Sequence, residues 1–111
     1  MRIGLHVSIA GKIYESLERA KALSCNTMQI FSRNPRGWQS TEFAPSDTAQ
    51  FRKLKEKLGI SPVVVHIPYL INLATPDDEL YRRSISAYID DLRRTDELGA
   101  ECFVTHLGSH V

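Results

Sequence analysis

Cysteine is scarce in this chain. Only Cys25 and Cys102 occur, far apart and with no Cys-x-x-Cys pair. A paired-cysteine site is excluded, and two reduced thiols in a cytoplasmic protein are expected. Long apolar runs are missing as well. None exceeds a few residues, so no segment can span a bilayer as a helix and no membrane partner is expected. The start, Met1 to His6, has no apolar stretch of the signal-peptide kind. A dominant charge sign is also absent: 14 Lys and Arg stand against 13 Asp and Glu, a formal net charge of +1. No global field draws the chain to nucleic acid, so any basic patch must be local. There is no low-complexity tract and no residue-level repeat.

What is present is an ordinary globular composition, 42% hydrophobic and 24% charged over 111 residues. That length allows one domain, residues 1–111. Periodicity and punctuation divide it. Residues 2–7 read as a strand. A helix opens at Gly11 and Lys12, with Ile13, Leu17 and Ala20 on one face. Residues 26–31 form a second strand, followed by a polar loop from Ser32 to Pro45. Asp47 with Gln50 is a capping-box signal. The helix after it carries Phe51, Leu54 and Leu58 and stops at Gly59. Pro62 to His66 is a third strand, whose three valines suit burial on both faces. Thr75-Pro76-Asp77-Asp78 predicts a helix start with Thr75 as N-cap. That helix is expected to turn Leu80, Ile85, Tyr88, Ile89, Leu92 and Leu98 inward and to end at Gly99. Residues 102–106 are a fourth strand. The β-α-β-α-β-α-β order is that of a parallel α/β fold, half of a TIM-type (β/α)8 barrel. With no closing helix before Val111, two expectations arise. The chain is a piece of a longer protein, or it pairs its exposed edges with another copy.

All four histidines fall at or just beyond strand ends. His6, His66 and His106 close the first, third and fourth strands, and His110 follows. In parallel α/β folds, sites form at those ends, and histidine is the commonest metal ligand. Either histidine alone could simply cap a buried strand. Together, His66 and His106 stand on neighbouring strands about 4.8 Å apart, close enough to share one ion. Two ligands leave a zinc site incomplete, and no carboxylate sits at a strand end. Glu15, Glu18, Glu56, Asp90, Asp91, Asp96, Glu97 and Glu101 read as solvated charges.

The loop after the second strand interleaves Arg33, Asn34, Arg36 and Trp38. Arginine for phosphate and a planar group for stacking suit a nucleic-acid contact. A surface loop with Trp38 packed on the rim is the plain alternative. Tyr69, in the apolar loop above the third strand, reads equally as core or as an exposed wedge. Gly108-Ser109-His110 supplies a flexible backbone and two hydrogen-bonding side chains at the mouth of the fourth strand.

These stretches resemble the N-terminal half of the endonuclease IV (deoxyribonuclease IV) family. They are Ile3-Gly4-Leu5-His6-Val7-Ser8 with Gly11, Gln29-Ile30-Phe31 leading to Asn34-x-Arg36-x-Trp38, His66-x-x-Tyr69-Leu70-Ile71-Asn72-Leu73, and His106-x-Gly108-Ser109-His110. The resemblance implies a (β/α)8 barrel with a metal cluster, usually zinc, at its strand ends. It implies a DNA-repair hydrolase acting on double-stranded DNA, cutting 5′ to abasic sites. By that resemblance His66 and His106 match ligands of one zinc, while Arg36 and Tyr69 match side chains that enter the DNA at the lesion. Asn34 and Trp38 would accompany them at the DNA, and His6, Ser109 and His110 would support the site. Leu107 stands where the family usually has proline. The family's bridging glutamate and remaining ligands have no counterpart in these residues, so the chain alone is expected to be inactive. Two other readings stay open: a metal-dependent sugar isomerase or epimerase of the xylose isomerase-like barrels, and a non-catalytic half-barrel that dimerises.

Overall fold

The computed structural model describes residues 1–111. Four strands, β1 (Gly4–His6), β2 (Thr27–Ile30), β3 (Val63–His66) and β4 (Cys102–Val104), alternate with three helices, α1 (Glu15–Ala22), α2 (Pro45–Leu58) and α3 (Asp78–Glu97). The strands pair in sequence order, all parallel. This is the expected half-barrel architecture. Each strand is shorter than its expected run: β1, β2 and β3 start later, and β1, β2 and β4 end earlier. The ring is open: β1 and β4 each have a neighbour on one side only.

Alternation along the strands separates two faces. Met28 and Ile30 of β2 and Val63 and Val65 of β3 are buried, and register sets Met28 beside Val63 and Ile30 beside Val65. They meet Ile13, Leu17 and Ala20 before and along α1, and Phe51 of α2. Leu17, Ile30, Phe51 and Val63 are wholly shielded from solvent. Val64, expected to be buried like the valines on either side of it, is only half-buried. It stands beside Gln29 in the register, on the opposite face of the sheet from Met28, Ile30, Val63 and Val65.

Helix ends follow local chemistry, with three departures from expectation. Residues 11–14 form a turn, and α1 begins at Glu15, whose carboxylate accepts from the Lys12 N–H at 2.6 Å. Helix α2 begins earlier than the Asp47–Gln50 signal suggested, with Pro45 in the first turn and Ala44 as cap. Asp47 lies inside that turn, where a negative charge favours the helix dipole, and pairs with Lys12 at 3.3 Å. The helix stops at Gly59, whose φ of 66° only glycine adopts readily. For α3 the cap is Asp77 rather than Thr75: its carboxylate accepts from the Leu80 N–H at 2.7 Å.

The inward face of α3 is the largest correction. Ile89 and Leu92 are exposed, at 44% and 42%. The residues turned inward are Ser84, Asp91, Arg94 and Thr95, with Leu98 just past the helix end. The physical reason is their partner. Asp91 and Arg94 pack on the polar β2–α2 loop and hydrogen-bond to it. Ser84 accepts from the Asn72 N–H of the loop after β3, and Thr95 donates to the Asp91 carbonyl within the helix, so each buried polar group has its partner.

Candidate functional site

The strand C-terminal ends carry a row of rings. His6 lies 4.7 Å from Phe31, centroid to centroid. Phe31 lies 5.5 Å from His66 and 5.3 Å from Tyr69, both edge-on. His66 lies 4.9 Å from His106. Phe31 is thus the hub that joins the first three strands' ends. It sits in a segment readable as strand, but nothing in its spacing marks it as a site residue.

Hydrogen bonds orient these rings. His66 Nδ1 lies 2.6 Å from the Ile67 carbonyl oxygen, which can only accept, so Nδ1 carries the proton. The Nε2 lone pair is then free to point into the site, the arrangement usual in metal-ligating histidines. His106 Nε2 is 2.9 Å from that nitrogen and donates to it. Two imidazole nitrogens on one tetrahedral zinc stand about 3.3 Å apart. A shift of a few tenths of an ångström would therefore place a shared ion between them. The donor set fits zinc in kind, and His66 fits in tautomer; His106 would have to give up its Nε2 proton to ligate, and the set stops at two. No group of three or more His, Cys, Asp or Glu in the chain could hold a metal.

His6 is tied differently. The Gln29 side-chain amide donates to its Nδ1 at 2.9 Å. Burial, with the neighbouring His66, lowers its pKa and favours the neutral ring. His6 lies 6.5 Å from His66, ring to ring, and adjoins the pair without joining it.

His66, Tyr69, His106 and Ser109 line one cleft of about 410 Å³ together with Asn72 and Gly108. Asn72 closes it. Its side chain donates to the Ser109 carbonyl at 2.8 Å and accepts from the Ser109 N–H at 3.0 Å and the Ala74 N–H at 3.1 Å. Gly108 has a φ of 96°, and a Cβ there would collide with the Asn72 side-chain oxygen. Only glycine fits that approach. His110 donates through Nδ1 to the Ala74 carbonyl at 2.8 Å, a tether of the loop rather than part of the cleft lining. Tyr69 is 67% exposed, which decides between core and wedge: it projects from the rim.

The other expected contacts lie apart from the cleft, on the β2–α2 loop. Asn34 is exposed, and Arg36 stands at the loop's tip. Trp38 is half-buried under the Arg83 guanidinium of α3, 4.6 Å from its ring. Arg33 is not a free cation. It is buried and grips Asp91 with Nε at 2.8 Å and Nη2 at 3.1 Å. Asp91 is likewise corrected from a solvated charge to a shielded one. Burial pushes its carboxyl up, opposed by the Arg33 bonds. Glu101 is no idle charge either. Its carboxylate takes bonds from Lys55, from Ser61 at 3.2 Å and from the Val63 N–H at 2.7 Å.

Known proteins share this architecture. Residues 17–111 match the family described as xylose isomerase-like TIM barrel. The chain belongs to that family. A protein of Methanosphaerula palustris named Probable endonuclease 4 is 50% identical over 99% of this chain and 38% of its own length. One of the same name from Halothermothrix orenii is 44% identical over 99% of the chain and 40% of its own length. The crystal structure of endonuclease IV from Thermus thermophilus superposes with a TM-score of 0.94 at 39% identity, covering 100% of this chain and 42% of that one. The expected endonuclease IV resemblance stands, over less than half the length of those relatives. A D-psicose 3-epimerase structure also superposes, with a TM-score of 0.66 at 14% identity over 91% of this chain and 36% of its own, which shows shared fold alone.

Proposed function

We propose that the chain is the metal-and-lesion-binding portion of a DNA-repair endonuclease that hydrolyses the phosphodiester 5′ to an abasic site. The observation that carries this reading is the facing Nε2 pair of His66 and His106 at 2.9 Å, on a strand-end cleft rimmed by the exposed Tyr69. The endonuclease names of the relatives give the pair its chemistry. Zinc held there, with further ligands, would stabilise charge on the phosphate and supply hydroxide near neutral pH. Of this chain's own groups, His66 and His106 hold the ion, and the Ile67 carbonyl keeps His66 in the ligating tautomer. Tyr69 and Arg36 hold open an unstacked duplex, which costs least at a damaged site. Asn34 and Trp38 shape the loop that presents Arg36. His6, Ser109 and His110 support the rings and the cleft mouth.

Two imidazoles are short of a catalytic zinc site. The 111-residue chain therefore binds zinc weakly and turns over no abasic DNA, and activity belongs to a longer chain that supplies the remaining ligands. In solution the short chain self-associates through its unpaired β1 and β4 edges, as a two-fold dimer. The setting is cytoplasmic.

The test is a longer chain carrying this sequence, assayed for incision of an abasic duplex and for bound zinc. His66→Ala and His106→Ala should each lose metal and activity, and His110→Ala should lose far less. Unchanged metal content in both ligand variants would overturn the assignment. Arg36→Ala should weaken binding to abasic duplex more than to intact duplex, whereas an equal loss on both would make Arg36 a plain phosphate contact.

A further inference from the structure

We propose that Arg33 is a positioning residue for Arg36, braced by a buried charge cluster on α3. The inference rests on the reading that the β2–α2 loop meets DNA, but its central observation does not.

The Arg33 guanidinium works in two directions. Two of its N–H groups grip both carboxylate oxygens of Asp91, a residue 58 positions away on α3. A third, on Nη1, donates to the Gly37 carbonyl at 2.5 Å. The segment Asn34-Pro35-Arg36 is thereby closed at both ends by one planar group. Inside the closure, Asn34 Oδ1 accepts from the Arg36 N–H at 3.0 Å, and the Gly37 N–H reaches the Asn34 carbonyl at 3.4 Å. Proline at position 35 removes further backbone freedom. Arg36 emerges from this braced turn with a side chain that has no hydrogen-bond or ion-pair partner.

Arg94, one turn along α3 from Asp91, clamps the rest of the loop. It donates to the Ser32 carbonyl at 2.5 Å and the Thr41 carbonyl at 2.8 Å, and stacks 3.9 Å over Phe43. The loop's start, tip and end are all held to one helix by arginines. No buried side-chain polar atom is left without a partner.

Stability alone does not call for this arrangement. A buried ion pair replaced by apolar groups of similar volume is often as stable or more so. What apolar groups cannot reproduce is a planar fork that fixes the loop's register and rotation together. A loop held in its bound shape spares binding the ordering cost. The gain is in where Arg36 stands, not in how tightly the chain folds.

Trp38 is the only tryptophan in the sequence, so its emission reports this loop. The experiment compares the parent chain with Arg33→Met/Asp91→Leu, which fills the space without the fork, and with Arg33→Lys, which keeps the charge and loses it. Three measurements are made: urea unfolding, acrylamide quenching of Trp38 with hydrogen exchange at the Arg36 and Gly37 amides, and binding of a duplex bearing a tetrahydrofuran abasic analogue. The double variant should unfold near the parent's midpoint, yet show faster quenching and exchange. Its affinity for the lesion duplex should fall about tenfold, the weight of ordering one more loop residue. Arg33→Lys should fall between. Parent-like quenching and exchange in a folded double variant would overturn the proposal. Should that variant not fold, parent-like quenching and exchange in Arg33→Lys would overturn it in the same way. Faster quenching in a parent-and-variant series where no chain binds the duplex would leave the brace standing and remove the DNA reading instead.

Discussion

The two faces of the sheet divide the work of this molecule. On the helix side, Met28, Ile30, Val63 and Val65 meet Leu17, Ala20 and Phe51 with almost no solvent between them. On the other face, residues one step along the same strands, Gln29, Val64 and His66, stay half-exposed. The first face is apolar and closed. The second carries the ring cluster and the cleft. Because side chains alternate along a strand, neighbouring residues serve unlike ends, and stability can be lost from one face with little change in the other.

Phe51→Ala should break the comparison hardest. It opens a void under the closed face and should lower unfolding free energy by about 3–5 kcal/mol. Urea denaturation measures it, and a loss under about 1 kcal/mol would show that this face is not the core. Next comes Gly108→Ala. The positive φ and the Asn72 approach should cost about 1–3 kcal/mol. The damage should be local, read as faster exchange of the Ser109 amide, while the β2 and β3 amides stay protected.

Glu101→Gln tests the acid limb. Burial raises the Glu101 carboxyl, but the bonds from Lys55 and the Val63 N–H outweigh it and hold the pKa below its ordinary value. A group depressed in the fold contributes stability above its unfolded pKa and loses it as pH falls through the folded one. The parent's Tm should therefore drop more steeply than the variant's below the ordinary glutamate range, and the two should converge in strong acid. Parallel curves would sink the assignment. The smallest effect on stability belongs to His66→Ala, about 1 kcal/mol, because its hydrogen bonds to the Ile67 carbonyl and to His106 are partly exposed to water. That variant should nonetheless lose any rise in Tm produced by zinc. An undiminished zinc response would place the metal elsewhere.

The order of elements, the parallel α/β class and the histidines at strand ends were all legible in the chain, because each is written in local pattern. So were Ile13, Leu17, Ala20 and Phe51 as core. The face of α3 was not. Ile89 and Leu92 lie on an apolar stripe, and a stripe of that kind says which residues share a side, not which side is covered. Asp91 looked like one more charge on a soluble helix, and Arg33 like a companion to Arg36. Neither reads otherwise without its partner.

Sequence alone therefore determined the order of the elements and the placing of histidines at strand ends, since turn chemistry and periodicity act over a few residues. Tertiary structure alone decided the rest. It set His66 Nε2 against His106 Nε2, made Phe31 and Asn72 the hubs of the site, and parted two arginines three residues apart into a buried brace and a free cation. Those outcomes depend on contacts between residues far apart in the chain, from His6 with Phe31 to Arg33 with Asp91, 58 positions apart. The contact between Arg33 and Asp91 forms because a buried charge must find its opposite, and nothing local in the sequence names which one.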